Sequence, residues 1–314
     1  MSLVNINGDS ITAKYSGFND YCFVPDDEPN RLDWGEWTYQ QLIDNVYEPL
    51  RAEFPNYITR SSLGKDASNT YDIWQYTFDP GETEQTLYVQ SGVHPYEEDS
   101  WIGLGRIMQI ICHDWHRHEG LAYLRWSCKL LIVPVVNVWG VSQPRSSRTA
   151  NNYNGVNLNR DAIALTQSES KSVTNFILQE NTQRKISGMI DFHTTVNNTY
   201  GDYMLELHPD APHYHMTMNV GRMLLYKNLG ERNQEYLDKY GLGVNDTMLP
   251  WFGTVRDNTF EDFCYRQGIP SMTCEHSDYV WDNAESTGKC IKKSIECCLN
   301  HLLGLARAKY FVEK

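Results

Sequence analysis

The sequence predicts an α/β protein, a single three-layer αβα domain built on a mixed, largely parallel central sheet. Strand-like and helix-like stretches alternate along the 314 residues without an internal repeat, the order that a parallel sheet covered by helices requires. The run Ser127-Cys-Lys-Leu-Leu-Ile-Val-Pro-Val-Val is almost continuously apolar, as a central strand covered on both faces must be. Three of the expected strands give way to polar residues where a loop or helix begins, the place where open α/β sheets carry their chemistry.

Residues 1–35 are acidic and rich in turn formers, as in Pro25-Asp-Asp-Glu-Pro29, and are expected to be an extension packed on a main domain of residues 36–314. From Glu36 to Leu50, Trp37, Leu42, Val46 and Leu50 recur near one helical face, and Pro49 predicts a kink or an early end. Residues 57–64 and 70–78 alternate as strands do, and Asp79-Pro-Gly-Glu turns the chain into a strand over 86–90. That strand breaks at Gly92 and is followed by His94 and Glu97. Trp101, Leu104, Ile107, Met108, Ile111 and Cys112 then form the apolar stripe of a helix. His113, His116 and His118 come at the far end of this helix from His94, where cations are favourable, and read as a solvated face rather than a metal site.

After the apolar run from Ser127 comes a polar loop from Asn137 to Asp161. A loop of that length inside a compact domain is usually functional. A helix over 168–183 and a buried strand over 185–192, ending in His193, follow. The remainder reads as a strand over 202–207, a helical region over 212–240 and a glycine-punctuated loop over 241–256. A short helix from Thr259 stopped by Gly268, a strand from Pro270 to Glu275 and a closing helix over 284–310 complete the chain.

Composition narrows the function. A formal charge of −13 and a pI near 5.2 argue against a nucleic-acid or anionic-membrane partner. No apolar run is long enough to span a bilayer, and the N-terminus has neither a basic n-region nor an apolar h-region, so a cytoplasmic location is expected. The eight cysteines include no C-x-x-C pair. Most sit in apolar runs and read as buried small hydrophobes of a reducing compartment.

Three strands therefore deliver His94, His193 and Glu275 toward one sheet edge, and the long loop supplies Arg145, Arg148, Asn159 and Arg160. His94 and Glu97, three residues apart, can hold one metal ion together. A catalytic zinc takes three protein ligands and keeps a position for water, and His193 is the candidate third. One zinc per chain held by His94, Glu97 and His193 would lower the pKa of a water toward neutrality. Glu275 would take that water's proton and pass it to a leaving group. Arginines and an asparagine nearby suit an anionic substrate and a developing oxyanion.

These residues resemble the zinc metallocarboxypeptidase family, the carboxypeptidase A-like peptidases. Five blocks in order carry the resemblance, over about residues 36–311: Gly92-Val-His94-Pro-Tyr-Glu97, Asn137-Val-Trp-Gly140, Gly155-Val-Asn-Leu-Asn159-Arg160, Ile190-Asp-Phe-His193 and Met272-Thr-Cys-Glu275. The resemblance implies a catalytic domain over 36–314 that hydrolyses the C-terminal amide bond of a peptide, with Glu275 as general base. It implies that Asn159 and Arg160 bind the terminal carboxylate and that Arg145, first of an Arg-x-x-Arg pair with Arg148, polarises the scissile carbonyl.

Departures from the family pattern are specific. The family's Asn-Pro-Asp-Gly is Asn137-Val-Trp-Gly140 here, and the aspartate that supports the first zinc histidine is Asn157, which implies weaker zinc binding. The family's mobile tyrosine has no clear counterpart between Leu249 and Phe260. Where the family sets the pocket for the terminal side chain stands Glu261. An acidic floor would favour a basic or diaminopimelate residue, and a solvent-facing Glu on a short helix is the competing reading. The same zinc and glutamate also suit a second function, a deacylase acting on N-acyl amino acids in the manner of succinylglutamate desuccinylase and aspartoacylase. A binding module that keeps the fold without catalysis is the third alternative. Oligomeric state is not legible.

Overall fold

The computed structural model describes residues 37–194, 257–275, 294–295, 298–299 and 301–306, and the backbone of 3–4, 10–11, 195, 203–207 and 276–277. Strands β1 (Leu3–Val4) and β2 (Ser10–Ile11) pair with each other in a two-residue antiparallel ladder. The rest of the expected extension, the helical region over 212–240 and the loop over 241–256 lie outside the described residues.

Helix α1 (Tyr39–Leu42) starts at Thr38, whose hydroxyl accepts from the Gln41 backbone N–H while the Gln41 side chain accepts from the Thr38 backbone N–H. Two otherwise orphaned donors are met in this way. The chain then widens into a π turn, Ile43–Tyr47, before α2 (Glu48–Glu53). The kink expected from Pro49 takes this form. A proline ring clashes with the carbonyl four residues earlier, here Asn45, and the π turn contains that residue.

Strands β3 (Ile58–Lys65), β4 (Asp72–Phe78), β5 (Gln85–Ser91), β6 (Cys128–Val133), β7 (Ile186–Thr195), β8 (Tyr203–Leu207) and β9 (Ser271–Ser277) form one seven-stranded sheet in the order β3-β4-β6-β5-β7-β9-β8. The central four, β6-β5-β7-β9, are mutually parallel, and the outer pairings are antiparallel. The sheet is thus mixed as expected, with its parallel part confined to the middle. There every β5 residue is buried, because helices cover both faces.

Helix α3 (Glu98–His113) buries the whole expected stripe, from Trp101 to Cys112. It contacts β5 and β7 on the face that also receives the helical residues 301–306. There Leu305 lies against Gly188, and His301 against Cys274 with Nδ1 3.1 Å from Sγ. On the other face, α6 (Ser168–Gln183) brings Phe176 against Tyr88, and α7 (Phe260–Arg266) packs on β7 and β9. Between α3 and α6 in the chain, α4 (Glu119–Ser127) was not anticipated. Its N-cap is His118, whose imidazole accepts from the Gly120 N–H, so this histidine caps a helix. His113 lies 3.6 Å from Glu53.

Two expected strand ends move. β7 continues past His193 to Thr195, and β9 past Glu275 to Ser277, because parallel pairing persists to Thr195↔Ser277. Free cysteines 112, 128, 264, 274 and 298 are all buried, in keeping with the small-hydrophobe reading. Among the described residues no helix is long and apolar enough to cross a membrane.

Candidate metal centre

The C-terminal ends of the parallel strands share one edge of the sheet, and the centre lies there. β5 stops at Ser91 because Gly92 takes φ +63°, a left-handed value that side chains disfavour. A Cβ on Gly92 would also meet Val135 at 3.0 Å. The turn that follows is closed by Glu97 N–H donating to the His94 carbonyl at 3.2 Å. Beneath it, Gly140 of α5 (Val138–Val141) packs directly under Pro95. Asn137 caps that short helix through its side-chain oxygen and Gly140 N–H. The altered middle of the Asn137-Val-Trp-Gly140 block therefore leaves its turn intact.

His94, Glu97 and His193 converge, each offering a ligand atom within 4.8 Å of the others. His94 Nδ1 lies 2.7 Å from one Glu97 oxygen and His193 Nδ1 lies 2.9 Å from the other. That second oxygen also accepts from the Thr194 N–H at 3.0 Å. The far side of each ring is held as well. His94 Nε2 faces Asn157 Oδ1 at 3.2 Å, and the same oxygen accepts from the Asn159 N–H at 2.9 Å. A backbone N–H can only donate, so the Asn157 amide must present its oxygen, and His94 Nε2 must carry a proton. His193 Nε2 lies 3.1 Å from Asp191 Oδ2, at ion-pair distance though not aligned for a straight hydrogen bond. Both Nδ1 atoms thus face one carboxylate, and two imidazoles with one carboxylate form a ligand set typical of catalytic zinc.

Electrostatics agree with a site built for a cation. Burial by itself would raise Glu97, but the His94 and His193 rings bring it down from 4.5 to about 2. Burial lowers His193, yet Asp191 and Glu97 together hold it well above the ordinary histidine value. These two charges favour the protonated imidazole, whose Nδ1 a metal would have to take over. The signs follow. His193, raised by folding, contributes stability that is complete below about 6.5 and is lost as pH rises through its folded value. Glu97, depressed, contributes stability above the usual carboxylate range that is lost only as pH falls toward about 2. Zinc must displace the imidazolium proton, so its affinity increases with pH. The gap between the thermal midpoints of zinc-loaded and chelated protein should therefore widen as pH rises toward the folded value of His193; a constant gap in calorimetry would refute this.

Glu275 stands beside the centre. It is the register partner of His193 across the parallel β7–β9 pair, and register partners project to the same face of a sheet. It is partly buried. Tyr96 lies parallel to the His94 ring at a centroid distance of 5.8 Å and is 40% exposed. Burial, then the charges of Glu97 and Glu275, push its phenol up to about 12, so it remains a hydrogen-bond donor.

The long loop divides into different roles. Arg145, in a 3-10 turn, is half exposed with its Nε 3.2 Å from Glu98. Arg148, expected at the substrate, is instead built into the frame, and its side chain is 1% exposed. Its Nη1 donates to Glu98 at 2.5 Å, Nη2 to the Trp37 carbonyl at 2.7 Å and Nε to the Gln143 carbonyl at 3.1 Å. Asn159 is buried with no hydrogen bond to its Oδ1 among the described residues, whereas Arg160 is exposed and bonds back to the Asn159 carbonyl. Glu261, in the first turn of α7, is only 6% exposed, which removes the solvent-facing alternative. After burial, its charge is the main influence raising the neighbouring Cys264 thiol.

Sequence reasoning missed Asp191, Glu98 and Tyr96. Asp191 was within reach, because residues two apart on a strand share a face. The pairing of Glu98 with an arginine fifty positions away carried no local signal.

Comparisons with protein-family models and with curated protein sequences return no match. Solved structures do match. The carboxypeptidase A of Helicoverpa armigera superposes with a TM-score of 0.62 at 17% identity, covering 91% of this chain and 76% of that one. Bovine thrombin-activatable fibrinolysis inhibitor, solved with tick carboxypeptidase inhibitor, gives 0.63 at 14% identity, covering 89% and 98%. A metallo-carboxypeptidase from Pseudomonas aeruginosa, in complex with (2-guanidinoethylmercapto)succinic acid, gives 0.57 at 17% identity, covering 87% and 70%. The chain has the carboxypeptidase A-like fold.

Proposed function

We propose that the protein is a zinc-dependent metallocarboxypeptidase that hydrolyses the C-terminal amide bond of a peptide and prefers a basic or diaminopimelate terminal residue. The observation that carries this reading is the convergence of His94 Nδ1, His193 Nδ1 and the Glu97 carboxylate, with Glu275 in register beside His193. A zinc ion held by those three residues supplies Lewis acidity toward an amide carbonyl and toward water.

The chain's own groups do the rest. Glu275 takes the proton of the attacking water and hands it to the departing amide nitrogen. Arg145 polarises the scissile carbonyl with its exposed guanidinium, and Arg148 keeps Glu98 and the loop in position for it. Asn159 and Arg160 bind the free carboxylate of the peptide, through an amide and a guanidinium suited to an anion. The buried carboxylate of Glu261 supports the preference for a cationic side chain, since an opposite charge in a desolvated pocket is strongly favoured. A ligand pairing a guanidinium with carboxylates, like the one held by the Pseudomonas aeruginosa protein, has the charges this pocket would take.

The test is zinc stoichiometry together with turnover on peptides ending in Lys, diaminopimelate, Phe and Glu. One zinc per chain with release of a terminal Lys or diaminopimelate is the expected result. Glu261→Gln should then lower kcat/KM for the Lys peptide about tenfold or more relative to the Phe peptide. Zinc bound with no peptide cleaved, but N-acyl amino acids hydrolysed, would replace the peptidase by the deacylase.

A further inference from the structure

Both histidines of the centre present Nδ1 to Glu97, so each depends on whatever holds its Nε2. Behind His94 stands the Asn157 amide, a neutral acceptor whose oxygen is shared with the Asn159 N–H. Behind His193 stands Asp191, a fully buried carboxylate on the same face of β7 two residues earlier. One of its oxygens lies 3.1 Å from His193 Nε2, and neither makes an aligned hydrogen bond among the described residues. Gln90, its register neighbour on β5, does not hold it: the Gln90 oxygen accepts from the Tyr88 hydroxyl, and its nitrogen makes no bond.

A buried carboxylate is costly unless it is paired, and the one charged partner described for Asp191 is the ring of His193. We propose that Asp191 is the positioning residue of this metal centre, fixing the tautomer and orientation of His193, and that the chain carries its supporting carboxylate behind the second histidine rather than behind the first. The proposal rests on the reading of His94, Glu97 and His193 as a zinc site. Its physical content is that a carboxylate accepting from Nε2–H makes Nδ1 a better donor to a cation, while an amide does so less. The neutral Asn157 is therefore compensated across the centre, and zinc binding need not be weak.

The experiment is competition of wild type and Asp191→Asn against a chromophoric chelator for zinc alone, with thermal unfolding of both metal-free chains recorded alongside. The expected result is a zinc affinity 10- to 100-fold lower in Asp191→Asn, in a chain that still unfolds cooperatively. Equal affinities in two folded chains would overturn the proposal and leave the zinc site standing. A wild type that binds no zinc would remove the zinc site, and the proposal with it. Should Asp191→Asn not fold, NMR of zinc-loaded wild type decides. A slowly exchanging His193 Nε2–H proton is expected, and zinc ligated through Nε2 instead would overturn the assignment.

Discussion

Glu275→Gln should abolish hydrolysis while leaving zinc bound. Glutamine keeps the size and hydrogen-bonding reach of glutamate but cannot take up a proton at neutral pH. General acid–base catalysis contributes typically 10²- to 10⁴-fold, so kcat should fall by about that factor, with KM changed far less. The residue is separate from the three converging ligand groups, yet its register partner is His193. Its loss should therefore separate chemistry from metal binding. Steady-state kinetics on the preferred peptide, with zinc content measured on the same sample, checks this. Activity within a few-fold of wild type would take the general-base role away from Glu275.

Glu97→Ala should remove zinc and also weaken the metal-free fold. Glu97 bonds to both histidines, and it accepts the Thr194 N–H besides. Without it His193, completely buried, keeps Asp191 alone among the described residues to balance its proton. Removing one member of a buried charged pair typically costs about 3–5 kcal/mol, and the orphaned N–H adds to the loss. Urea unfolding of the chelated variant near neutral pH should show a stability loss of that order, and zinc content should drop to background. A variant that still bound zinc as wild type does would exclude Glu97 from the ligand set.

The fold is shared at 13–17% identity with solved carboxypeptidases, and the features that position this chain's centre are local. Gly92 must adopt a left-handed φ so that β5 can release His94, Gly140 must be small enough to lie under Pro95, and β7 must pair in register with β9.

By itself the sequence determined the alternation of strands and helices, the buried runs, the helix over 168–183 and the group His94, Glu97 and His193. These are local signals: side-chain period, turn formers, and polar residues where apolar strands end. It could not assign the loop arginines, because Arg145 and Arg148 look alike in a polar stretch. Only the packed chain turns Arg148 inward onto Glu98 and the Trp37 carbonyl while leaving Arg145 half exposed. Nor could it decide whether Glu261 faces water or is buried, since a short helix of that composition fits either until its contacts with β7 and β9 are known. Tertiary structure likewise decided which groups stand behind the two imidazoles. Hydrogen bonds between residues sixty or more positions apart, such as His94 with Asn157 and His193 with Glu97, depend on where the strands bring distant segments together, and no window of sequence contains that distance.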